Sequence, residues 1–136
     1  MADVKAPLPV VPDYEQPFWE GAQRGELLLQ QCASCSSIRS PMSPICPDCL
    51  SEEVEWVPSS GRGTVESWIV YRQAFHPAFI DALPYNVAWI ALEEGPRLTS
   101  NIVGVEFDDL HIGMPVEVVF EEANEEITLP RFRPAS

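Results

Sequence analysis

Cys32, Cys35, Cys46 and Cys49 are the four cysteines of this 136-residue chain, and they form two C-x-x-C pairs. A tight turn at each x-x brings two sulfurs to one side. Two such turns facing each other close a tetrahedral S4 site for one metal ion. Disulfides fit the pattern poorly, because nothing in the chain marks secretion. Free core thiols do not ordinarily fall into two such pairs. The metal is Zn2+ or, since four soft thiolates also suit it, iron. Four protein ligands leave no open position for water or substrate. The pattern therefore predicts a structural metal, and gives no activity by itself.

The elements around the cysteines must hold these two turns. Glu26 to Gln31, with Leu27-Leu28-Leu29, reads as a short strand entering the first pair. Ser36 to Ile45 is a loop stiffened by Pro41 and Pro44. Val54, Trp56 and the polar residues between them alternate as an exposed strand does. Upstream, Pro7, Pro9 and Pro12 predict an extended arm over residues 1–12. Asp13 to Gly25 predicts a short helix, with Asp13 as N-cap, regular turns from about Gln16, and Gly25 as the stop. Phe18 and Trp19 are a large apolar load for so short a helix. They pack on the chain's own core or offer a contact to a partner subunit.

Ser59 to Gly63 is a turn and the expected seam between modules. Beyond it the pattern is all-β. Strands are predicted at Thr64 to Arg72, Tyr85 to Leu92, Arg97 to Val103, Val116 to Glu122 and Glu125 to Arg133. A long loop covers Gln73 to Pro84, and Ile112 to Pro115 makes a sharp corner. Five short strands without a long helix predict a small barrel, for which the five-stranded OB-fold is the natural candidate. The expected fold class is thus mainly β: an N-terminal arm and short helix over residues 1–25, a metal ribbon over 26–60 and a barrel over 61–136.

Composition narrows the function. An apolar fraction of 46% supplies a core, and 21 acids against 8 bases give a net charge of −13. Such a surface repels a polyanion, and no basic stripe gathers phosphates. A nucleic-acid-binding OB-fold module is therefore the weaker alternative, as is an electron carrier with iron in the S4 site. The start of the chain lacks a charged segment followed by an apolar one, so no signal peptide is expected. Val87 to Leu92 is the longest apolar run and is too short to cross a bilayer. A soluble, cytoplasmic protein is expected.

The order of short motifs carries a resemblance. Pro17-Phe18-Trp19 is followed by Gly25-Glu26-Leu27, the paired C-x-x-C turns and Gly61-Arg62-Gly63-Thr64-Val65. Then come Pro84-Tyr85-Asn86-Val87-Ala88, Glu94-Gly95-Pro96-Arg97-Leu98, Ile112-Gly113-Met114-Pro115-Val116 and Leu129-Pro130-Arg131-Phe132-Arg133-Pro134. Over about residues 14 to 134 the chain resembles the DUF35 family, the acyl-CoA-associated proteins with a zinc ribbon and an OB-fold. The resemblance implies a rubredoxin-like zinc ribbon followed by an OB barrel. It also implies an accessory subunit bound to a thiolase-fold enzyme, in a hetero-oligomer such as α2β2. That partner makes or breaks carbon–carbon bonds next to a CoA thioester, by thiolysis or retro-aldol cleavage. This chain would help to form the acyl-CoA site. Related domains occur fused or bound to hydratases. Ser36 departs from the family pattern, in which glycine commonly follows the first pair because the backbone there favours φ > 0.

With acyl-CoA as the shared ligand that the resemblance implies, the residues that offer CoA or partner contacts are Arg72, Phe75, His76, Phe79 and Arg97, with Phe18 and Trp19 on the helix. Arginines suit CoA phosphates through paired N–H donors. The competing role for Arg62, Arg72, Arg97, Arg131 and Arg133 is to balance surface acids. His76 is a loop residue at a contact, or a donor to the thioester carbonyl or another CoA group. His111, beside Asp108 and Asp109, reads as a solvated turn residue. Phe75, Phe79 and Ile80 make the 73–84 loop too apolar for a free loop, so it covers a barrel mouth or docks on a partner. Glu121, Glu122, Glu125 and Glu126 read as a solvated hairpin tip or a docking patch for a basic partner. No set of nucleophile, base and orienting group is evident, and no catalytic residue is expected.

Overall fold

In the computed structural model residues 7–135 are described. Residues 7–12 have no regular structure, as their prolines dictate; the rest of the expected arm, residues 1–6, lies outside the described residues. Asp13–Glu15 form a 3-10 turn that runs into helix α1, Gln16–Gln23. Pro17 sits in the first turn, where its missing N–H costs nothing. Asp13 is not an N-cap. Pro12 is the extended residue that starts the turn, the Glu15 N–H bonds its carbonyl at 2.9 Å, and no side chain caps the turn or α1. Gly25 stops the helix at φ +79°, with its N–H on the Ala22 carbonyl.

Two antiparallel sheets follow. The smaller is built from β1 (Leu28–Cys32), β2 (Ile38–Arg39) and β3 (Val54–Pro58), in the order β2-β1-β3. The larger holds β4 (Arg62–Tyr71), β5 (Tyr85–Leu92), β6 (Arg97–Ser100), β7 (Pro115–Glu122) and β8 (Thr128–Pro134), in the order β6-β5-β4-β7-β8. The register of β4 on β5 shifts between Val65 and Ser67. An extra residue at that point bends the strand and adds twist.

The larger sheet curls into a half-barrel whose two edges meet at one parallel bridge, Ile102 to Phe132. The Val103 N–H bonds the Phe132 carbonyl at 2.7 Å, and the Phe132 N–H bonds the Asn101 carbonyl at 3.0 Å. This explains why β6 ends at Ser100 rather than Val103: residues 101–103 leave β5 to reach β8. The buried Asn86 side chain replaces the lost ladder bonds. Its Nδ2 donates to the Ile102 carbonyl and its Oδ1 accepts the Ile102 N–H, each at 2.7 Å. The result is the expected mainly-β fold, with one short helix, a ribbon and a five-stranded OB-fold sheet.

Two loops carry more structure than expected. Pro77–Ala82 form a 3-10 helix inside the 73–84 loop. Strand β8 starts at Thr128 rather than Glu125, because Asn124 folds the tip. The Asn124 Oδ1 accepts the N–H groups of Glu126 and Ile127 at 2.8 and 2.7 Å.

One core serves the helix, the ribbon and the barrel. Phe18 of α1, Leu27, and Leu29 of β1 pack with Val65, Ala88, Ile90, Leu92, Ile102, Val116 and Phe132 of the barrel. β4 approaches its neighbour β5 so closely at Gly63 that a Cβ there would stand 2.5 Å from the Ala91 carbonyl oxygen. Among the described residues no helix is long and apolar enough to cross a membrane.

Candidate metal centre and the surfaces around it

The two C-x-x-C turns have the same build. The Ser36 N–H bonds the Cys32 carbonyl, and the Leu50 N–H bonds the Cys46 carbonyl, both at 2.9 Å. On the return path the Cys32 N–H bonds the Ser37 carbonyl at 2.8 Å and the Cys46 N–H bonds the Ser51 carbonyl at 2.9 Å. Each turn closes on a left-handed residue, Ser36 at φ 67° and Leu50 at φ 65°. Both turns thus require the strained conformation expected at Ser36, and Leu50 is the second instance that the sequence did not disclose.

The four Sγ atoms lie within 4.8 Å of one another. Cys32 Sγ is 3.5 Å from Cys49 Sγ, and Cys35 Sγ is 3.7 Å from Cys46 Sγ. A tetrahedron with metal–sulfur bonds of about 2.3 Å has an edge of about 3.8 Å, so the donor set fits a zinc-sized ion. Cys32 and Cys46 are buried, while Cys35 and Cys49 are exposed. The electrostatics point the same way. The Ser37 hydroxyl, then the Cys49 N–H, draw the Cys46 thiol down from 9.0 to about 6. Cys49 is pushed up to about 12: the Ser51 N–H favours its thiolate, but Cys32, burial and the other two sulfurs outweigh that donor. Four sulfurs this close do not all ionise without a cation between them.

A buried polar network braces the ribbon behind the sulfurs. Gln30 of β1 and Arg39 of β2 are register partners. Gln30 Oε1 accepts from Arg39 Nε and from the Ser43 N–H, and Arg39 Nη2 donates to the Ser43 carbonyl, all at 2.9 Å. Sequence reading missed this pair, since a polar residue in a strand entering a ribbon looks like an exposed one.

The expected contact residues separate into three places. The first is an aromatic cluster where β4 and β5 open into the 73–84 loop. Phe75 is 77% exposed and edge-on to Tyr71, with centroids 5.9 Å apart; Tyr71 in turn lies 5.3 Å from Tyr85. His76 stands 5.8 Å from Phe79, and its Nδ1 accepts the Ala78 N–H at 3.1 Å. That bond places the ring proton of neutral His76 on Nε2, leaving a donor directed away from the cap. Arg72 is exposed beside this loop.

The second place is the helix. Phe18 is 5% exposed and belongs to the chain's own core, so Trp19 is the member of the pair that reaches the surface. Trp19 meets Phe18 edge-on at 5.1 Å and donates from Nε1 to Glu15 Oε1 at 3.2 Å. Trp19 and Phe79 line one broad groove with Tyr85, Phe107 and Arg131.

The third place is Arg97, on β6. It pairs with Glu66 and lies 5.4 Å over the Trp89 ring, apart from the 73–84 loop. Arg131 and Arg133 likewise pair with Glu121 and Glu117. His111 is an exposed turn residue bonded to the Asp109 carbonyl.

Comparison with known proteins gives the family. The model for the ChsH2 rubredoxin-like zinc ribbon domain matches residues 19–55, and that for the ChsH2 C-terminal OB-fold domain matches residues 56–121. The chain is 45% identical over 119 residues to the "Probable enoyl-CoA hydratase alpha subunit" of Thermomonospora curvata. That match covers 87% of this chain but 37% of the relative, so the chain spans little over a third of that protein's length. It is 38% identical over 105 residues to the "DUF35 domain-containing scaffold protein" of Methanothermobacter thermautotrophicus, covering 76% of this chain and 78% of that one. A solved structure titled "Ltp2-ChsH2(DUF35) aldolase" superimposes with a TM-score of 0.85 at 42% identity, over 95% of this chain and 100% of that one. With both ChsH2 domain types in order and a relative matched over most of its length, the chain belongs to the DUF35 family.

Proposed function

We propose that the chain is an accessory subunit that binds a thiolase-fold enzyme and helps to form its acyl-CoA site, for carbon–carbon cleavage or formation. The observation that carries this is the near-complete superposition on a DUF35 chain whose structure is titled an aldolase. Two features support it. The four-cysteine ribbon is a closed site without a place for substrate. The exposed Phe75 and its aromatic neighbours form an apolar surface of the kind that marks an interaction site. The nucleophile or base of the reaction belongs to the partner.

In this reading Cys32, Cys35, Cys46 and Cys49 hold a structural zinc, which fixes the two turns and, through β1, the packing of Leu29. Phe75, Phe79, His76 and Arg72 form the partner- or CoA-facing surface, with Trp19 along the groove. In this reading the Nε2–H of His76 donates to a carbonyl or phosphate oxygen. The working units are residues 1–25, 26–60 and 61–136. A hydratase partner is the second reading, favoured by the hydratase name of the relative in which this unit spans 37% of the length.

The test is purification of the chain from its own cell at low salt, with mass spectrometry and metal analysis of one sample. A thiolase-fold enzyme at fixed stoichiometry, with one zinc per chain, is the expected result. A hydratase in its place selects the second reading. Nucleic acid at fixed stoichiometry, or a chain that runs alone, overturns both.

A further inference from the structure

The hairpin of β5 and β6 fixes which way the backbone of β6 points. At its turn the Leu92 N–H bonds the Pro96 carbonyl at 3.0 Å. Antiparallel pairs alternate between bonded and non-bonded ones. Ala91 lies opposite Arg97, Ile90 opposite Leu98, Trp89 opposite Thr99 and Ala88 opposite Ser100. The bonds to β5 therefore fall on Leu98 and Ser100. The N–H and C=O groups of Arg97 and Thr99 point away from β5. β6 is the edge of its sheet, and among the described residues no hydrogen bond reaches those four groups. A free edge of this kind is a template for another strand.

The barrel leaves this edge open, because its two edges meet at Ile102 and Phe132, beyond the end of β6. Along Arg97 to Thr99 the strand borders a cleft of about 570 Å³ between barrel and ribbon. Three observations decide what fits there. The edge is recessed between two modules, so the equally recessed β6 of a second copy cannot reach it, whereas a free extended segment can. A second copy would also bring another net charge of −13 against this one. Phe18, Met42 and Leu98 line the cleft and suit apolar side chains at alternate positions. Charge sets the rest. Arg97 is paired with Glu66, and Arg39 is buried in its bonds to Gln30 and Ser43. Glu15 and Asp48 share the lining, beside a sulfur cluster that stays net negative even with a divalent ion bound. The complement is a segment with basic residues among its apolar ones.

We propose that β6 takes up a sixth strand, an extended apolar and basic segment of the partner enzyme, paired through the backbone of Arg97 and Thr99. Main-chain bonds supply affinity in such strand addition, and the pockets for alternate side chains supply specificity. The source of the segment rests on the accessory-subunit reading; the free edge does not. The docking site lies apart from the 73–84 loop, so the partner would hold the chain at two places.

The test compares the metal-loaded chain with the complex purified on its partner enzyme. Hydrogen exchange is read by mass spectrometry on fragments that cover Arg97 to Ser100. The Arg97 and Thr99 amides lack acceptors, so they should exchange fast in the free chain and about tenfold slower in the complex. Thr99→Pro removes one outward N–H and leaves the β5 ladder bonded, since proline is tolerated on the open side of an edge strand. It should keep its metal and weaken the complex about tenfold. Thr99→Ala keeps the N–H and should bind like the parent. If Thr99→Pro fails to fold, the exchange rates of the parent decide. An enzyme that binds while both amides exchange as in the free chain overturns the sixth strand and leaves the accessory-subunit reading standing. Equal weakening by Thr99→Ala and Thr99→Pro overturns it too, because the contact then belongs to the side chain. If no enzyme binds, both readings fall. The shortness of β6 and the charge of Arg97 then serve only to discourage pairing.

Discussion

Glu94 holds Ser60 across the seam between ribbon and barrel. Its Oε2 accepts the Ser60 N–H at 2.8 Å, while its Oε1 accepts the Ser59 hydroxyl at 2.8 Å. Partial burial alone would raise its pKa. The Ser60 N–H, the Ser59 hydroxyl and its own N–H outweigh burial and hold the carboxyl below 4.5. A carboxylate with a depressed folded-state pKa adds stability above its ordinary pKa, and that stability is lost as pH falls through the depressed value. Glu94→Gln removes one acceptor and should cost about 1 kcal/mol near neutral pH. In denaturant titrations the gap between variant and parent should close below about pH 4. A gap that persists in acid would mean that packing, not charge, holds the seam.

The metal centre should be all-or-none. Cys→Ser at 32, 35, 46 or 49 should release the metal and unfold the ribbon, seen as loss of zinc by elemental analysis together with a lower melting temperature. A strong chelator should do the same to the parent. Acid should release the metal too, because protons compete for the thiolates. A variant that keeps full metal and full stability would sink the structural-site assignment, and a red-brown sample with stoichiometric iron would replace zinc.

Gly63→Ala tests the closeness of β4 and β5. The new methyl would meet the Ala91 carbonyl oxygen at 2.5 Å. Overpacking of this kind costs about 1–3 kcal/mol. Chemical denaturation should show the loss without any change in metal content.

Phe132→Ala tests the barrel's one-bridge closure. Phe132 is fully buried and pairs with Ile102 where the two edges meet. The expected loss is about 3–5 kcal/mol. In the same series Phe75→Ser should leave stability within about 0.5 kcal/mol, since the ring is largely exposed. It should nevertheless weaken retention of the partner enzyme on an affinity column. Equal retention would remove the 73–84 loop from the interface.

The metal centre and the strand plan were readable because their signals are local. A C-x-x-C spacing needs no knowledge of the rest of the chain, and Val65-to-Tyr71 alternation survives inside the real β4. What stayed hidden depends on contacts between distant segments. Nothing in the neighbours of Arg39 says that it is buried, because its burial comes from the register of β2 on β1. Arg97 and Arg72 looked alike as basic residues of the barrel half, yet the hairpin places Arg97 over Trp89 and Arg72 beside the loop. The left-handed Ser36 was expected from the glycine that commonly stands there in the resembling family; Leu50, in the same geometry, shows how a repeated motif repeats its strain.

Strand β1 belongs to two worlds at once. Leu29 lies in the shared core and Cys32, three residues later, ends in the sulfur cluster. A five-residue strand is too short to yield at one end without moving the other. Metal occupancy and barrel order are therefore linked quantities, and linkage is reciprocal. The factor by which bound metal favours the ordered barrel equals the factor by which an ordered barrel tightens the metal. Metal availability thus acts on the whole molecule as a thermodynamic dial on how much of the chain is folded.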